Sequence, residues 1–279
     1  MTKPRTLLVD NGSLAPAATK RLRQLAQALA AKLGEPVDAV SLLHASAVPS
    51  ADLDNLPAEI LEPALDRRAE RGQRDFIVLP LFFGPSRALT DYLPERVAHL
   101  RKKYADLRVR LAPPIYSLHD FRLARLMAEQ VRAVPVESRG VLRVALVDHG
   151  SPARAVTGVR DQLAAQLQAV LGTSAVVVAS SMERREGADY DFCEPLLEKL
   201  LVRPEWGGGD VVVAMQFLLP GRHAGPDGDV AAICLRAAQA NPGLRAHLTP
   251  LVGEHPGLIQ ILADRWQVAA ARAAGSVEL

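Results

Sequence analysis

Two hydrophobic patterns alternate along the chain. Short runs such as FIVLPLFF and VVVAMQF are apolar on both faces, as a parallel strand covered by helices on either side requires. Longer stretches between them set apolar residues at helical spacing against polar ones. The pattern predicts strands over residues 6–10, 37–43, 76–83 and 109–112, and again over 142–147, 175–181, 211–217 and 246–251. Helices are expected over 19–33, 58–71, 91–103 and 120–132, then over 156–171, 190–201, 229–240 and 257–272. Alternation of this kind specifies an α/β fold with a doubly wound parallel sheet.

The pattern also occurs twice. Leu8-Val9-Asp10-Asn11-Gly12-Ser13 matches Leu146-Val147-Asp148-His149-Gly150-Ser151, and both following helices end in Leu-Gly, at Leu33-Gly34 and Leu171-Gly172. Glu62-Pro63-Ala64-Leu65 echoes Glu194-Pro195-Leu196-Leu197, residues 78–83 pair with 214–219, and 114–119 pair with 250–255. Ordered matches of this kind read as a tandem duplication. The repeats are residues 1–136 and 137–279, joined through the Pro- and Ser-containing segment 133–140.

Composition narrows the class. Of 279 residues, 49% are hydrophobic and 23% charged, which is globular, and the aromatic share of 4% makes the core aliphatic. A net charge of +2 gives no general case for nucleic acid. Cys193 and Cys234 form no zinc-type spacing and are expected as buried thiols in a reducing compartment. The start MTKPRTLLVD has no apolar signal region, and the apolar runs are too short to span a bilayer, so a soluble cytoplasmic protein is expected with no membrane partner.

Ligands of open α/β sheets bind beyond the carboxyl ends of the strands. In the second repeat those ends carry Asp148-His149-Gly150-Ser151, Met182-Glu183-Arg184-Arg185, Leu219 to His223, and Gly253-Glu254-His255. The histidines His149 and His223, Glu183 and several arginines therefore gather on one edge. The nucleophile elbow G-x-S-x-G, the dinucleotide fingerprint G-x-G-x-x-G and the P-loop are all absent, and Gly207-Gly208-Gly209 precedes a strand, as a turn does.

The His149-Gly150-Ser151 turn, the Gly221-Arg222-His223 loop and the Pro250 to Pro256 finish together resemble the sirohydrochlorin chelatases. These are class II enzymes that insert cobalt, iron or nickel into tetrapyrroles, and the resemblance covers both repeats in the family's fused form. It implies two chelatase-like subdomains facing a central cleft, a divalent metal ion as substrate, a sirohydrochlorin-like tetrapyrrole partner and no organic cofactor. It assigns metal binding and proton removal to His149 and His223, with Glu183 as a further metal ligand. Repeat one departs from the pattern, with Asn11, Arg87 and His44 at the positions matched to His149, His223 and Glu183. The second half is therefore expected to be the working one.

The chemistry agrees with that assignment. Metallating a free-base macrocycle delivers a divalent ion to the ring nitrogens and removes the pyrrole protons. Neutral imidazole serves both steps, as a borderline ligand that titrates near neutrality. Few protein ligands are wanted, because the ion must leave. A polycarboxylated substrate also needs a basic rim, and Arg154, Arg184, Arg185 and Arg222 are placed to supply it, with Arg87 from the other half, while Ser151 is a further substrate-binding candidate. His255, His44 and His119 are expected to be structural, His99 and His247 have no case for a site, and Arg101-Lys102-Lys103 complements a helix dipole. A monomer is expected, since one fused chain carries both units. The alternative reading is a non-catalytic chelatase-like protein that carries a metal ion or a tetrapyrrole. Its motive is the missing histidines of repeat one and the small residues Ala224-Gly225-Pro226 after His223.

Overall fold

The structure, a computed structural model, describes residues 3–137 and 140–271. Repeat one contributes β1 (Arg5–Asp10), α1 (Pro16–Leu33), β2 (Val37–Ser41), α2 (Leu61–Glu70), β3 (Asp75–Pro80), α3 (Leu93–Lys103), β4 (Arg108–Leu111) and α4 (Arg122–Arg132). Repeat two contributes β5 (Leu142–Asp148), α5 (Arg154–Leu171), β6 (Ala175–Ser181), α6 (Leu197–Leu201), β7 (Gly209–Met215), α7 (Asp229–Ala240), β8 (Leu244–Leu248) and α8 (Leu258–Ala271).

Two four-stranded parallel sheets result, ordered β2-β1-β3-β4 and β6-β5-β7-β8. The expected α/β class and the two subdomains are therefore present. In each sheet the chain leaves its first strand to one side and returns on the other. That reversal opens a crevice between β1 and β3 in one sheet and between β5 and β7 in the other.

Period-two alternation decides which helix covers which face. In sheet two, Ala145, Val147, Val211, Val213 and Met215 pack on Leu197, Leu200 and Leu201 of α6 and on Val230, Ile233, Cys234 and Ala237 of α7. In sheet one, Leu7, Val9, Phe76 and Val78 pack in the same way on α2 and α3. Helix α1 begins where Ser13 Oγ accepts the Ala15 N–H and Pro16 takes the first position, and it stops at Gly34 in the left-handed region. Helix α5 begins on the matching contact, Ser151 Oγ to the Ala153 N–H.

The compact units are not cut at the repeat junction. The chain divides between Ile115 and Tyr116 and again between Leu258 and Ile259. Helix α8, the last of repeat two, belongs with sheet one: Trp266 Nε1 donates to Thr6 Oγ1, and Arg265 donates to the carbonyls of Pro114 and Ile115. Helix α4, the last of repeat one, belongs with sheet two, where Gln130 Nε2 donates to the Leu251 carbonyl. Each repeat thus gives its final helix to the other repeat's unit. Residues 138 and 139 of the expected junction and residue 272 of the expected last helix lie outside the described residues.

Several sequence expectations shift. The helix expected over 190–201 is a 3₁₀ turn, Ala188–Cys193, followed by the short α6, because Pro195 interrupts the run. Strand register also corrects the repeat alignment. Pro80 pairs with Val9 and Met215 with Val147, so residues 78–83 answer to 213–218 rather than 214–219. Ser41 bridges Ile60 and Ser181 bridges Leu196, so Ile60 is the counterpart of Leu196. The Glu-Pro echo at residues 62 and 194 is therefore a coincidence of letters.

Both cysteines are free and buried, and burial pushes the Cys234 thiol up to about 12, which leaves it inert. Among the described residues no helix is long and apolar enough to cross a membrane.

Candidate functional site

The site begins where β5 ends. Gly150 sits at a φ of +91°, and a Cβ there would lie 1.9 Å from the Glu183 carbonyl oxygen, so the turn requires glycine. That close approach, with the Met182 N–H on the Asp148 carbonyl and the Glu183 N–H on the His149 carbonyl, seats His149 beside Glu183. The His149 Nε2 is 3.6 Å from Glu183 Oε1. Two donors at about 2.0–2.2 Å from one tetrahedral ion stand roughly 3.4 Å apart, so these two atoms are near the spacing of shared ligands.

His223 arrives from the β7 side of the crevice. The loop 220–228 doubles back so that the His223 carbonyl accepts the Val230 N–H at the start of α7. A Cβ on Gly228 would come within 2.8 Å of that same carbonyl, which makes glycine necessary for the fold-back. The small residue after the histidine also has a physical reason: Ala224 is buried in the core under α7, where a larger side chain would not fit. The rings of His149 and His223 meet edge to face, centroids 4.5 Å apart and planes at 77°.

Hydrogen bonds orient both rings. The His149 Nδ1 faces the Gly150 carbonyl at 2.8 Å and the His223 Nδ1 faces Asp229 Oδ2 at 2.6 Å. In a neutral ring, an Nδ1 facing an acceptor carries the proton, and the lone pair is then on Nε2. Asp229, the first residue of α7, is the residue that sequence reading missed. A Gly-Asp pair opening an amphipathic run, six residues after His223, is the signal that could have found it. Among the described residues no three His, Cys, Asp or Glu side chains already form a closed metal site.

The arginines of the expected rim divide. Arg184 is taken up by its own loop, pairing with Asp191, with Glu194 Oε1 at 3.1 Å and with the Gly187 carbonyl. Arg154 lies over the Phe192 ring at 4.5 Å and Arg185 over Tyr190 at 5.9 Å, so aromatic faces hold their guanidinium planes while both residues remain exposed. Arg222 is 84% exposed, 3.6 Å from Asp229. Ser151 spends its hydroxyl on the α5 start, as Ser13 does in repeat one. Arg87, in the other unit, is 81% exposed and donates to Asp91 Oδ2 at 2.9 Å.

Repeat one keeps the turn and loses the imidazoles. Gly12 has a φ of +90° and presses on the Leu43 carbonyl as Gly150 presses on Glu183, so Leu43 is the counterpart of Glu183. His44, matched to Glu183 by sequence, is one position further on and exposed. The loop 84–90 contains no histidine. The run from Phe217 to the end of α7 is two residues longer than that from Phe82 to the end of α3, so α7 is approached by a different loop. His255 Nδ1 accepts the Gly257 N–H and its Nε2 faces Glu129, while His247 is bound to the buried Asp210. Both are structural contacts.

The profile of the CbiX family matches residues 5–133 and 143–269. No curated protein matches the chain in sequence. Among solved structures, SirB from Bacillus subtilis with Fe3+ superposes with a TM-score of 0.74 at 17% identity, covering 99% of each chain. The sirohydrochlorin chelatase SirB from Bacillus subtilis subspecies spizizenii in complex with cobalt gives 0.73 at 17% identity, again over 99% of each. DR2241 from Deinococcus radiodurans, a multi-domain protein with structural similarity to chelatases, gives 0.57 at 18% identity, covering all of this chain and 57% of that one.

Proposed function

The chain belongs to the CbiX family in both of its repeats, and from that premise we propose that it is a chelatase inserting a divalent metal ion into a sirohydrochlorin-like tetrapyrrole. Repeat two, within residues 137–279, is the working half. One observation carries the reading: His149 and His223 meet at 4.5 Å, each with its Nδ1 occupied and its Nε2 available. The two SirB proteins, seen with Fe3+ and with cobalt, support the metal as substrate.

In this reading the ion is held by the Nε2 lone pairs of His149 and His223, with Glu183 as a third, movable ligand. A small ligand set suits a metal that must be given up. As the ring nitrogens take the ion, their two N–H protons leave. Each imidazole accepts a proton at Nε2 once the ion has passed from that nitrogen to the ring, and the exposed Glu183 passes the proton on to water. Arg154, Arg185 and Arg222 meet the substrate carboxylates, and Ser151 lends its backbone turn rather than its hydroxyl. The fused chain works as a monomer.

The test follows the absorbance of sirohydrochlorin with Co(II) and purified protein. The expected result is conversion to the metallated spectrum by the wild type, with His149→Ala and His223→Ala folded by circular dichroism and without insertion. Full insertion by either variant overturns the assignment. Binding of Co(II) with no insertion by the wild type replaces it with the non-catalytic carrier.

A further inference from the structure

Helix α5 carries an arginine inside its apolar stripe. Arg160 is 2% exposed, among Val159, Leu163, Ala164 and Leu167. A buried cation is costly unless its donors are used, and those of Arg160 run in three directions. One amino group donates to Ser181 Oγ at 2.6 Å and to the Cys193 carbonyl at 2.9 Å. The other donates to the Phe192 carbonyl at 3.1 Å and, with Nε, to Asp161 Oδ1.

Both of the first two directions end at the functional site. The Ser181 hydroxyl donates in turn to Asp148 Oδ1 at 2.6 Å, and the same oxygen accepts the Gly150 N–H at 3.0 Å, so this arm terminates in the turn that presents His149. The carbonyls of Phe192 and Cys193 close the 3₁₀ turn whose Phe192 ring supports Arg154.

Repeat one is an internal control. Its counterpart of Arg160 is Leu22, fully apolar and buried, while Ser41 and Asp10 remain. The corresponding loop is held from the surface instead, by Arg23 on the carbonyls of Leu53, Leu56 and Pro57. Turn and loop are secured separately there, whereas in repeat two one guanidinium secures both.

We propose that Arg160 is a positioning residue that locks the His149 turn and the 184–194 loop together, so that the metal ligands and the arginine that meets the substrate keep one geometry. The consequence for insertion rests on the chelatase reading above; the coupling itself does not. A planar fork is needed, since a lysine has no pair of opposed donor edges to serve both arms.

Amide hydrogen exchange of the full chain tests the coupling without any assay of insertion. Arg160→Leu, which installs the residue of repeat one, is expected to speed exchange in both 148–153 and 187–194 while the core strands stay protected. Ser181→Ala is expected to speed it in 148–153 alone, and Arg160→Lys to leave at least one of the two segments unprotected. In insertion assays, Ser181→Ala lowers kcat at unchanged KM, and Arg160→Leu lowers kcat by about tenfold or more and raises KM as well. Exchange that rises uniformly over the unit, or in one segment only, in Arg160→Leu overturns the proposal. If that variant does not fold, full protection of both segments in Arg160→Lys, or loosening of both in Ser181→Ala, overturns it. Wild-type protein that inserts no metal yet shows these exchange patterns removes the chelatase reading and leaves the coupling standing.

Discussion

Asp229 Oδ2 lies 2.6 Å from His223 Nδ1, and this contact fixes which ring nitrogen of His223 is available. A carboxylate behind a ligating imidazole sets the tautomer and strengthens the donor. Asp229→Ala is therefore expected to lower the rate of Co(II) insertion by about 10–100-fold and to weaken Co(II) binding, with the fold retained. Initial rates and isothermal titration check this; unchanged values for both show that the contact does not matter to the metal.

Repeat one offers a negative control. Asn11 and Arg87 occupy positions without an imidazole pair, and Arg87 is exposed on an i,i+4 pair with Asp91. Asn11→Ala and Arg87→Ala are expected to keep insertion within about threefold of wild type, since single exposed contacts are worth less than about 1 kcal/mol. Loss of insertion in these variants, with His149→Ala still active, reverses the roles of the halves.

The arginines are expected to separate by kinetic parameter. Arg154→Ala and Arg185→Ala remove cations held over aromatic rings, and each raises KM for the tetrapyrrole several-fold with Co(II) affinity unchanged. Arg184→Ala instead frees the loop that Arg184 ties to Asp191 and Glu194, and increases cleavage there in limited proteolysis. Steady-state kinetics and a protease time course distinguish the two classes.

Asp10 predicts a pH effect on stability. Burial pushes its carboxyl up to about 6 from an ordinary 3.8, so between those values the folded chain binds more protons than the unfolded one. Stability from this group is present below about pH 4 and is lost as pH rises through about 6. Asp10→Asn is expected to be more stable than wild type by about 2–3 kcal/mol at pH 8, with the gain vanishing near pH 4. Urea unfolding at the two pH values measures the difference.

Much of this architecture is legible in the chain itself. Apolar runs such as 76–83 and 211–217 identify parallel strands because both faces of such a strand are buried, and α7 falls on its expected residues because Asp229 opens an amphipathic run that closes before Asn241. The placement of His149 and His223 at strand ends is legible through a general rule, that ligands of open α/β sheets gather beyond the carboxyl ends of the strands. Less legible was Arg160. Alone it reads as a surface charge, yet comparison of the repeats sets it against Leu22 and marks it as a cation in an apolar stripe.

Fold class, duplication and the asymmetry of the histidines are therefore written in the chain, because local periodicity and residue identity suffice for each. Contact was settled only by the folded chain. It paired His223 with Asp229, gave Arg184 to its own loop, made Leu43 rather than His44 the counterpart of Glu183, and gave α8 to sheet one and α4 to sheet two. The physical reason is that register and the close approach of chain segments depend on which backbone groups meet across a sheet, and an insertion of one or two residues in a loop moves that match without any mark in the hydrophobic pattern.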